Sequence, residues 1–359
     1  MKLACDRDEL VEALGRACRA TTARPAVRVL GGVHLTASAG ELTLTATDLE
    51  LTVSSSLAAS VQDEGSAVVP ARALTAIVQA LDGGAVELAS EDATLAVRAG
   101  DSDFRLNTLP ADDFPEPPAL REPTRFEVDA ALLAELAGRV LRVASTDLSR
   151  PVYTGVRLTA AGGLLTLVAT DGYRLATARA ELGIPDIDVL VPARALAEVV
   201  RLVAGRLAVE LTQNLVRFAA AGCTVTARTL DGRPQDHERI LAAPYEHRAG
   251  VPRVTLLRAV DRAALVAERG GAVELAFGES EVRVRARSAD LGEAHERVSL
   301  TADVPPLRIG FNARYLRDGL DLAGGDEVWL EMSDALRPVV IHGASNEFAY
   351  LVAPLRLRD

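Results

Sequence analysis

The sequence predicts an α+β fold built from three tandem modules, each reading helix, strands, helix, strands. One observation is a long repeat. Val69-Pro70-Ala71-Arg72-Ala73-Leu74 returns as Val191-Pro192-Ala193-Arg194-Ala195-Leu196. At an offset of 123 residues Asp6 meets Asp129, Leu10 meets Leu133, Gly15-Arg16 meets Gly138-Arg139 and Arg19 meets Arg142. Gly32-Val33 likewise meets Gly155-Val156, and Ala46-Thr47-Asp48 meets Ala169-Thr170-Asp171. A solenoid unit spans about 20–50 residues, so this period marks a whole domain copied in tandem. The other observation is that the apolar pattern switches between helical and alternating periods in the same order in each module.

In the first module Leu10, Leu14 and Ala17-Cys18 form a helical stripe, with Arg16 and Arg19 on the opposite side. Strands Val33–Leu35 and Leu42–Thr45 follow, the second entered through Ala39-Gly40. A second helix after Pro70 carries Leu74, Ile77, Val78 and Leu81 and ends at Gly83-Gly84. Strands at Val86–Leu88 and Leu95–Val97 lead into Asp103–Leu109. The second module replays this order: a helix with Leu133, Leu136, Val140 and Ala144, a hairpin across Gly162-Gly163, a helix from Ala193 to about Val203, and a strand at Val209–Leu211. The third is fainter. A helix with Leu257, Val260 and Ala264 as its apolar stripe precedes strands Val273–Phe277 and Val282–Arg285 around a Gly278-Glu279-Ser280 turn. Arg258, Arg262 and Arg269 lie elsewhere on that helix. Ile309–Leu316 fills the slot of the two Val-Pro-Ala-Arg segments, and Val328-Trp329-Leu330 follows Gly324-Gly325. Proline-rich joints, from Asp113-Phe114-Pro115 to Pro123 and from Ala242 to Pro252, are short stiff spacers. They set domains at 1–119, 120–245 and 246–359.

Composition narrows the function. With 359 residues and 49% hydrophobic content, the chain can build two or three cores. It has no apolar run long enough to span a bilayer, and its N-terminus turns acidic at once, which reads as cytoplasmic. Cys5, Cys18 and Cys223 lack metal-ligand spacing, and the five histidines stand singly, so neither a metal nor a cofactor is expected. No phosphate loop or nucleophile elbow occurs. Asp48 and Asp171 could be argued into an acid pair for an enzyme, yet each follows an equivalent strand, where an aspartate satisfies turn amides.

A net charge of −11 argues against nucleic-acid binding by the whole surface but not by one basic face. Lys2 is the single lysine, so arginine carries the positive charge. Arg16 and Arg19 match Arg139 and Arg142; Arg258 and Arg262 give the third module a similar pair; Arg72, Arg194 and Arg314 recur near the start of each second helix. An arginine face repeated by domain suits several weak contacts to a regular polyanion, directed at phosphates and blind to sequence.

The residues resemble a family, the bacterial sliding clamp or β subunit of DNA polymerase III, along the whole chain. The resemblance is carried by Ala46-Thr47-Asp48-Leu49-Glu50, Val69-Pro70-Ala71-Arg72, Thr108–Pro115, Ala169–Ala176, Phe311–Leu316 and Tyr350–Leu357 in this order. It implies three clamp domains per chain, helices inside and sheets outside, forming half of a six-domain ring closed head-to-tail by a second copy. Such a ring holds double-stranded DNA topologically and needs no catalysis. The resemblance assigns DNA contacts to Arg24, Arg150 and Arg194, beside the repeated Arg16, Arg19, Arg72, Arg139 and Arg142. It sets the dimer interface at Phe104 and Leu106 against Leu265 and Val266. It also implies a cleft that docks short motifs of the DNA polymerase III α subunit, the clamp loader and other partners. The matching positions are Tyr153, Thr170, Gly172, Tyr173, Arg174, Leu175, Arg239, Ile240, Asn312, Tyr315, Leu336, Pro338, Leu351, Ala353, Pro354, Leu355, Arg356 and Leu357. The expectation is an apolar groove edged by arginine.

The chain departs from the family pattern in that cleft. Ala353-Pro354-Leu355-Arg356-Leu357 replaces a methionine-containing tail, Arg358-Asp359 extends it, Pro234-Gln235 stands where Phe-Pro is usual, and Tyr173 where His is frequent. Losing flexible methionine removes an adaptable pocket wall. This motivates an alternative, a specialised second clamp whose groove excludes cleft-binding peptide antibiotics, and another, a clamp-like decoy that is not loaded on DNA.

Overall fold

The computed structural model describes all residues except 23, 24, 26, 203, 204, 233–236, 268–270, 303, 346, 358 and 359, with the backbone alone at 237. The first module runs β1 (Lys2–Asp6), α1 (Arg7–Ala17), β2 (Gly32–Ser38), β3 (Glu41–Thr47), β4 (Leu51–Ala58), β5 (Ser60–Asp63), β6 (Gly65–Pro70), α2 (Ala71–Ala80), β7 (Ala85–Glu91), β8 (Thr94–Ala99) and β9 (Ser102–Asn107). The second runs β10 (Thr124–Asp129), α3 (Ala130–Val140), β11 (Gly155–Ala161), β12 (Leu164–Thr170), β13 (Arg174–Glu181), β14 (Ile187–Pro192), α4 (Ala193–Val199), β15 (Arg206–Leu211), β16 (Leu215–Ala220), β17 (Cys223–Arg228) and the short α5 (His237–Leu241). The third runs β18 (His247–Pro252), α6 (Arg253–Ala264), β19 (Ala272–Phe277), β20 (Glu281–Ser288), β21 (Gly292–Ser299), β22 (Leu307–Asn312), α7 (Ala313–Ala323), β23 (Glu327–Met332), β24 (Val339–His342) and β25 (Phe348–Val352).

Local chemistry repeats with the modules. Asp6 caps α1 by accepting from the amides of Asp8 and Glu9, and Asp129 accepts from Leu132 at the start of α3. The helices that follow β6, β14 and β18 begin directly after Pro70, Pro192 and Pro252, whereas α7 is capped by Asn312. Gly162 and Gly163, with φ of 57° and 83°, close the β11–β12 hairpin. Two sequence expectations need correction. The fourth helix stops at Val199, because Arg201 and Leu202 donate to Glu198 and Val199 three residues back and tighten the chain into a turn. The apolar face of α6 is Leu256, Ala259, Val260 and Ala263; Leu257 and Ala264 are only half-buried. Both sets fit a 3.6-residue period, and packing against the sheet selects the first.

The chain forms two units, Met1–Ala134 with Arg194–Thr229, and Glu135–Ala193 with Leu230–Asp359. This division cuts through the middle module. In the first unit one sheet has the order β5-β1-β7-β8-β9, and a second, eight-stranded sheet has the order β10-β15-β16-β17-β4-β3-β2-β6. That larger sheet is two four-stranded halves from successive modules, joined where β17 pairs antiparallel with β4. Helices α1 and α2 pack on a core of Leu3, Leu10, Leu14, Leu35, Leu44, Leu74, Val78 and Leu88. The proline-rich joint is packed and not merely stiff: Phe114 is buried on Val29, Leu30, Val68 and Leu109, its ring 5.1 Å from that of His34, and Arg217 donates to the Pro118 carbonyl at 3.0 Å.

The second unit repeats the plan with an eight-stranded sheet, β14-β11-β12-β13-β25-β24-β23-β18, and a four-stranded one, β21-β20-β19-β22. Here β25 pairs with β13, in the register of the first joint: Cys223, Val225 and Ala227 face Ser55, Val53 and Leu51, and Phe348, Tyr350 and Val352 face Ala178, Ala176 and Arg174. The residues behind the joints differ. A cavity of about 340 Å³ lies between α1 and the first joint, lined in part by Cys223 and Val225. Fully buried Phe348 and Tyr350 occupy the equivalent positions in the second unit. The Tyr350 hydroxyl donates to the Tyr315 carbonyl at 2.8 Å, and burial pushes its phenol far above the usual range. Gly319, inside α7, lets that ring approach: a Cβ there would meet it at 2.5 Å. Next to it, buried Arg174 donates to Asp171 at 2.9 Å, to Asp318 at 2.5 Å and to the Arg142 carbonyl at 2.9 Å, and lies 4.4 Å over the Tyr315 ring.

Two substitutions probe this packing. Gly319→Ala gains about 1 kcal/mol of helix propensity but drives a methyl into an immobile ring, an overpacking cost of about 1–3 kcal/mol; the unfolding midpoint in denaturant is expected to fall. Asp318→Ala leaves the Arg174 cation buried with one carboxylate and is expected to cost about 3 kcal/mol in the same titration.

Candidate functional site

The repeated arginines stand on helices or in the turns that end α1 and α3, but five of them, and Arg150 ahead of Pro151, are held by carboxylates. Arg16 pairs with Glu12 one turn back on α1, and Arg139 pairs with Glu135 on α3 at 2.7 Å. Arg19 reaches Glu198 of α4 at 3.1 Å, and Arg142 reaches Asp321 of α7 at 2.7 Å. Arg194 pairs with Asp48, and Arg150 with Asp147 at 3.2 Å, its guanidinium 5.2 Å over the Tyr153 ring. Arg72 is exposed with no ion pair among the described residues, and Arg24 lies outside them. The repeated arginine face is therefore largely an array of ion pairs. Glu12 corresponds to Glu135 at the same 123-residue offset, whereas the second helices align at 120, so Glu198 corresponds to Asp318, 3.6 Å from Arg142, and Asp321 lies one turn further on.

Asp48 and Asp171 are turn residues. Asp48 Oδ1 accepts from the amides of Glu50 and Leu51, and Asp171 Oδ1 from those of Tyr173 and Arg174. The Thr47 and Thr170 hydroxyls donate to the Leu51 and Arg174 carbonyls. The residue after each aspartate has positive φ, 80° at Leu49 and 92° at Gly172. The second oxygen of each carboxylate binds an arginine, Arg194 or Arg174, which leaves neither poised as an acid–base group.

The expected interface residues lie at sheet and helix ends. Strand β9 edges the five-stranded sheet of the first unit, and β21 edges the four-stranded sheet of the second. Phe104 is 39% exposed and Leu106 half-buried on β9; Leu265 is 77% exposed just past α6, with Val266 half-buried. By module order β9 corresponds to β17 and β25, and β21 to β4 and β13. Phe104 thus stands where the joints carry Val225 and Tyr350, and Leu265, by the 123-residue offset, where they carry Arg19 and Arg142.

The expected cleft residues all fall in the second unit. Thr170, Leu175, Leu351 and Val340 sit side by side across β12, β13, β25 and β24. With Val168 the three apolar ones form a cluster of their own, covered by half-buried Ile240 and Leu241 of α5, Tyr245 and Ala349. The tail runs beside this patch. Ala353 donates to the Tyr173 carbonyl at 2.8 Å and Leu355 to the Gly310 carbonyl at 2.7 Å, while Leu357 lies so close over Gly310 that a Cβ there would meet it at 2.7 Å. Tyr173, Leu336, Leu355, Arg239 and Arg356 are exposed; Tyr153, Pro338, Ala353, Pro354 and Leu357 are half-buried. Asn312 caps α7, and Tyr315 supports Arg174. One expectation fails: Arg174 is 4% exposed and braces the sheet against α7, so it does not edge a groove. Val168, Val340, Leu241 and Tyr245 were not anticipated, since strand pairing brings the first two, and packing of α5 and its following loop the others, beside Leu175. Pro234-Gln235 and Arg358-Asp359 lie outside the described residues. Among the described residues no cluster of acidic, cysteine and histidine side chains could hold a metal, and no helix is long and apolar enough to cross a membrane.

Comparison with known proteins agrees with this geometry. Profiles of the N-terminal, central and C-terminal domains of the DNA polymerase III beta subunit match residues 1–118, 127–235 and 238–356. The beta sliding clamp of Streptomyces coelicolor is 32% identical, over 99% of this chain and 100% of that protein. Among solved structures, the DNA polymerase III subunit beta of Pseudomonas aeruginosa bound to griselimycin superposes with a TM-score of 0.93 at 30% identity, over 99% of this chain and 100% of that one. That of Bartonella birtlesii, also bound to griselimycin, gives 0.95 at 30% identity with the same coverage. The chain therefore belongs to the β-subunit family of DNA polymerase III, the bacterial sliding clamps, a non-enzymatic family of three clamp domains.

Proposed function

We propose that two copies of the chain close head-to-tail into a six-domain ring around duplex DNA and tether the replicative polymerase to its template. One observation carries this reading. The same strand joint is used twice within the chain, β17 on β4 and β25 on β13, and its two halves remain open once each, as β9 and β21. An open edge with unpaired amides and carbonyls is a template for another strand. Two copies satisfy both edges reciprocally, and closed symmetry ends the assembly there. At the internal joints Arg19–Glu198 and Arg142–Asp321 bridge the helices. At the open joint the corresponding helix presents Leu265, and the strand presents Phe104. An ion pair inside and apolar contact between copies suit a joint that a loader must open and water must reclose.

In this reading the domains are 1–119, 120–245 and 246–359. Arg16, Arg19, Arg72, Arg139, Arg142, Arg150 and Arg194 meet phosphates, a role to which the resemblance adds Arg24. Topological closure holds the DNA, and the weak contacts allow sliding. Phosphate contacts carry no sequence information. A separate loader supplies ATP chemistry, since the sequence has no phosphate loop. The patch of Val168, Leu175, Val340 and Leu351 receives apolar anchors of the polymerase α subunit and other motif-bearing partners, and is where a peptide such as griselimycin would bind. End-to-end likeness to clamps of several bacteria supports an ordinary clamp over a specialised or unloadable one.

Sedimentation at micromolar concentration is expected to give about twice the 37.9 kDa chain mass. Phe104→Asp combined with Leu265→Asp should give folded monomers; an unchanged dimer would rule out this interface. Loaded by a cognate clamp loader, the protein is expected to remain on nicked circular DNA and to leave within seconds of linearisation, with equal loss from both forms refuting topological retention. A polymerase-tail peptide should bind Leu175→Gln at least tenfold more weakly than the parent in a fluorescence titration, while the sedimentation profile stays dimeric.

A further inference from the structure

We propose that Glu12, Glu135, Glu198 and Asp321 are positioning residues that hold the helix-face arginines in check, so that each phosphate contact is made by exchanging a carboxylate for a phosphate. The inference rests on the reading of these helices as the DNA-facing layer, and specifies how the grip is kept weak. Its basis is a charge arrangement built twice. In the first unit Arg16 is held by Glu12 along α1, and Arg19 by Glu198 across to α4. In the second unit Arg139 is held by Glu135 along α3, and Arg142 by Asp321 across to α7. Glu12, Arg16 and Arg19 recur as Glu135, Arg139 and Arg142 at one offset of 123 positions. The second helices align at an offset of 120, so Glu198 corresponds to Asp318, which lies 3.6 Å from Arg142, and Asp321 stands one turn further along α7. In both units, then, one pairing runs within a helix and one reaches across to the second helix of the next module. Glu198 also holds Arg201 at 2.6 Å and is only 18% exposed, which fixes two guanidiniums on one carboxylate.

The physical consequence is an exchange reaction. A bare guanidinium meeting a phosphate gains charge neutralisation and releases counterions. A guanidinium already beside a carboxylate must give up that partner, or share it with a phosphate that the carboxylate repels. The net gain per contact is then small, and the salt dependence shallow for the number of arginines present. The arrangement also suits a surface that passes phosphate after phosphate: each guanidinium has a resting partner between contacts, so its side chain stays extended and ordered.

Equilibrium binding of the full-length protein to a short linear duplex, followed by fluorescence anisotropy over a salt series, tests this. Glu12→Gln with Glu135→Gln is expected to tighten binding about fourfold at low salt, about twofold per freed arginine. It should also steepen the log–log salt slope by up to about one unit per arginine that newly engages a phosphate. Glu198→Gln with Asp321→Asn should act in the same direction. Glu9→Gln, which removes a charge from α1 where no arginine is held among the described residues, should change affinity less than twofold. Arg16→Gln with Arg139→Gln should weaken binding. Carboxylate variants that bind no tighter than the parent, or a Glu9→Gln variant equal to Glu12→Gln, would overturn the inference and leave the DNA reading intact. Parent and Arg16→Gln/Arg139→Gln proteins that bind duplex alike, without salt dependence, would overturn both. Unchanged thermal midpoints show that the variants fold.

Discussion

The edge-to-edge strand joint is the constraint from which the rest of the architecture follows. A four-stranded sheet leaves backbone amides and carbonyls unpaired at its margin, and these must find partners or face water. The chain solves this by docking β17 on β4 and β25 on β13 in one register. Each docking merges half of one module with half of the next into an eight-stranded sheet. The division between the two units therefore falls inside the middle module, whose strands are shared between the two eight-stranded sheets. The docking also explains why β9 and β21 are left as complementary edges.

The two joints share a backbone plan but are sealed differently. In the second unit Phe348 and Tyr350 fill the space behind the strands, Gly319 gives up a side chain to admit the tyrosine ring, and Arg174 ties β13 to α7 through Asp171 and Asp318. A buried cation costs several kcal/mol of desolvation, so this one is sustained only by two carboxylates, a backbone carbonyl and an aromatic face together. In the first unit Cys223 and Val225 leave a cavity, rimmed by Arg16, Arg19 and Arg201 with Glu12 and Glu198. The same geometry therefore tolerates a packed seal or an open one rimmed by charged side chains, because main-chain pairing supplies the register in both.

Electrostatics on the helix faces follows from the same repetition. With a net charge of −11 the chain offers no general attraction for a polyanion; Arg16, Arg19, Arg139 and Arg142 are held by carboxylates, while Arg72, Arg258 and Arg314 have no ion pair among the described residues. The apolar patch beside the tail is different: Val168, Leu175, Val340 and Leu351 form a cluster of their own, covered among the described residues by Ile240 and Leu241 of the short α5, Tyr245 and Ala349.

Module number, element order and the Thr-Asp turns were legible in the sequence, because each rests on contacts within a few residues and is written twice. The repeat also placed the arginines. What it left open depends on partners far along the chain. Whether Leu256 or Leu257 faces inward on α6 was set by the sheet beneath it, since both fit the helical period. Where α4 ends was set by tightened hydrogen bonds at Glu198 and Val199, and propensity alone would carry the helix further. That Arg174 is buried, that Glu198 and Asp321 restrain arginines 179 residues away, and that Val340 lies beside Leu175 follow only once strands from successive modules are zipped together. Sequence by itself determined the local units and their threefold recurrence. Tertiary structure decided which side chains share a surface, because strand pairing joins distant segments through backbone hydrogen bonds that carry no residue signature.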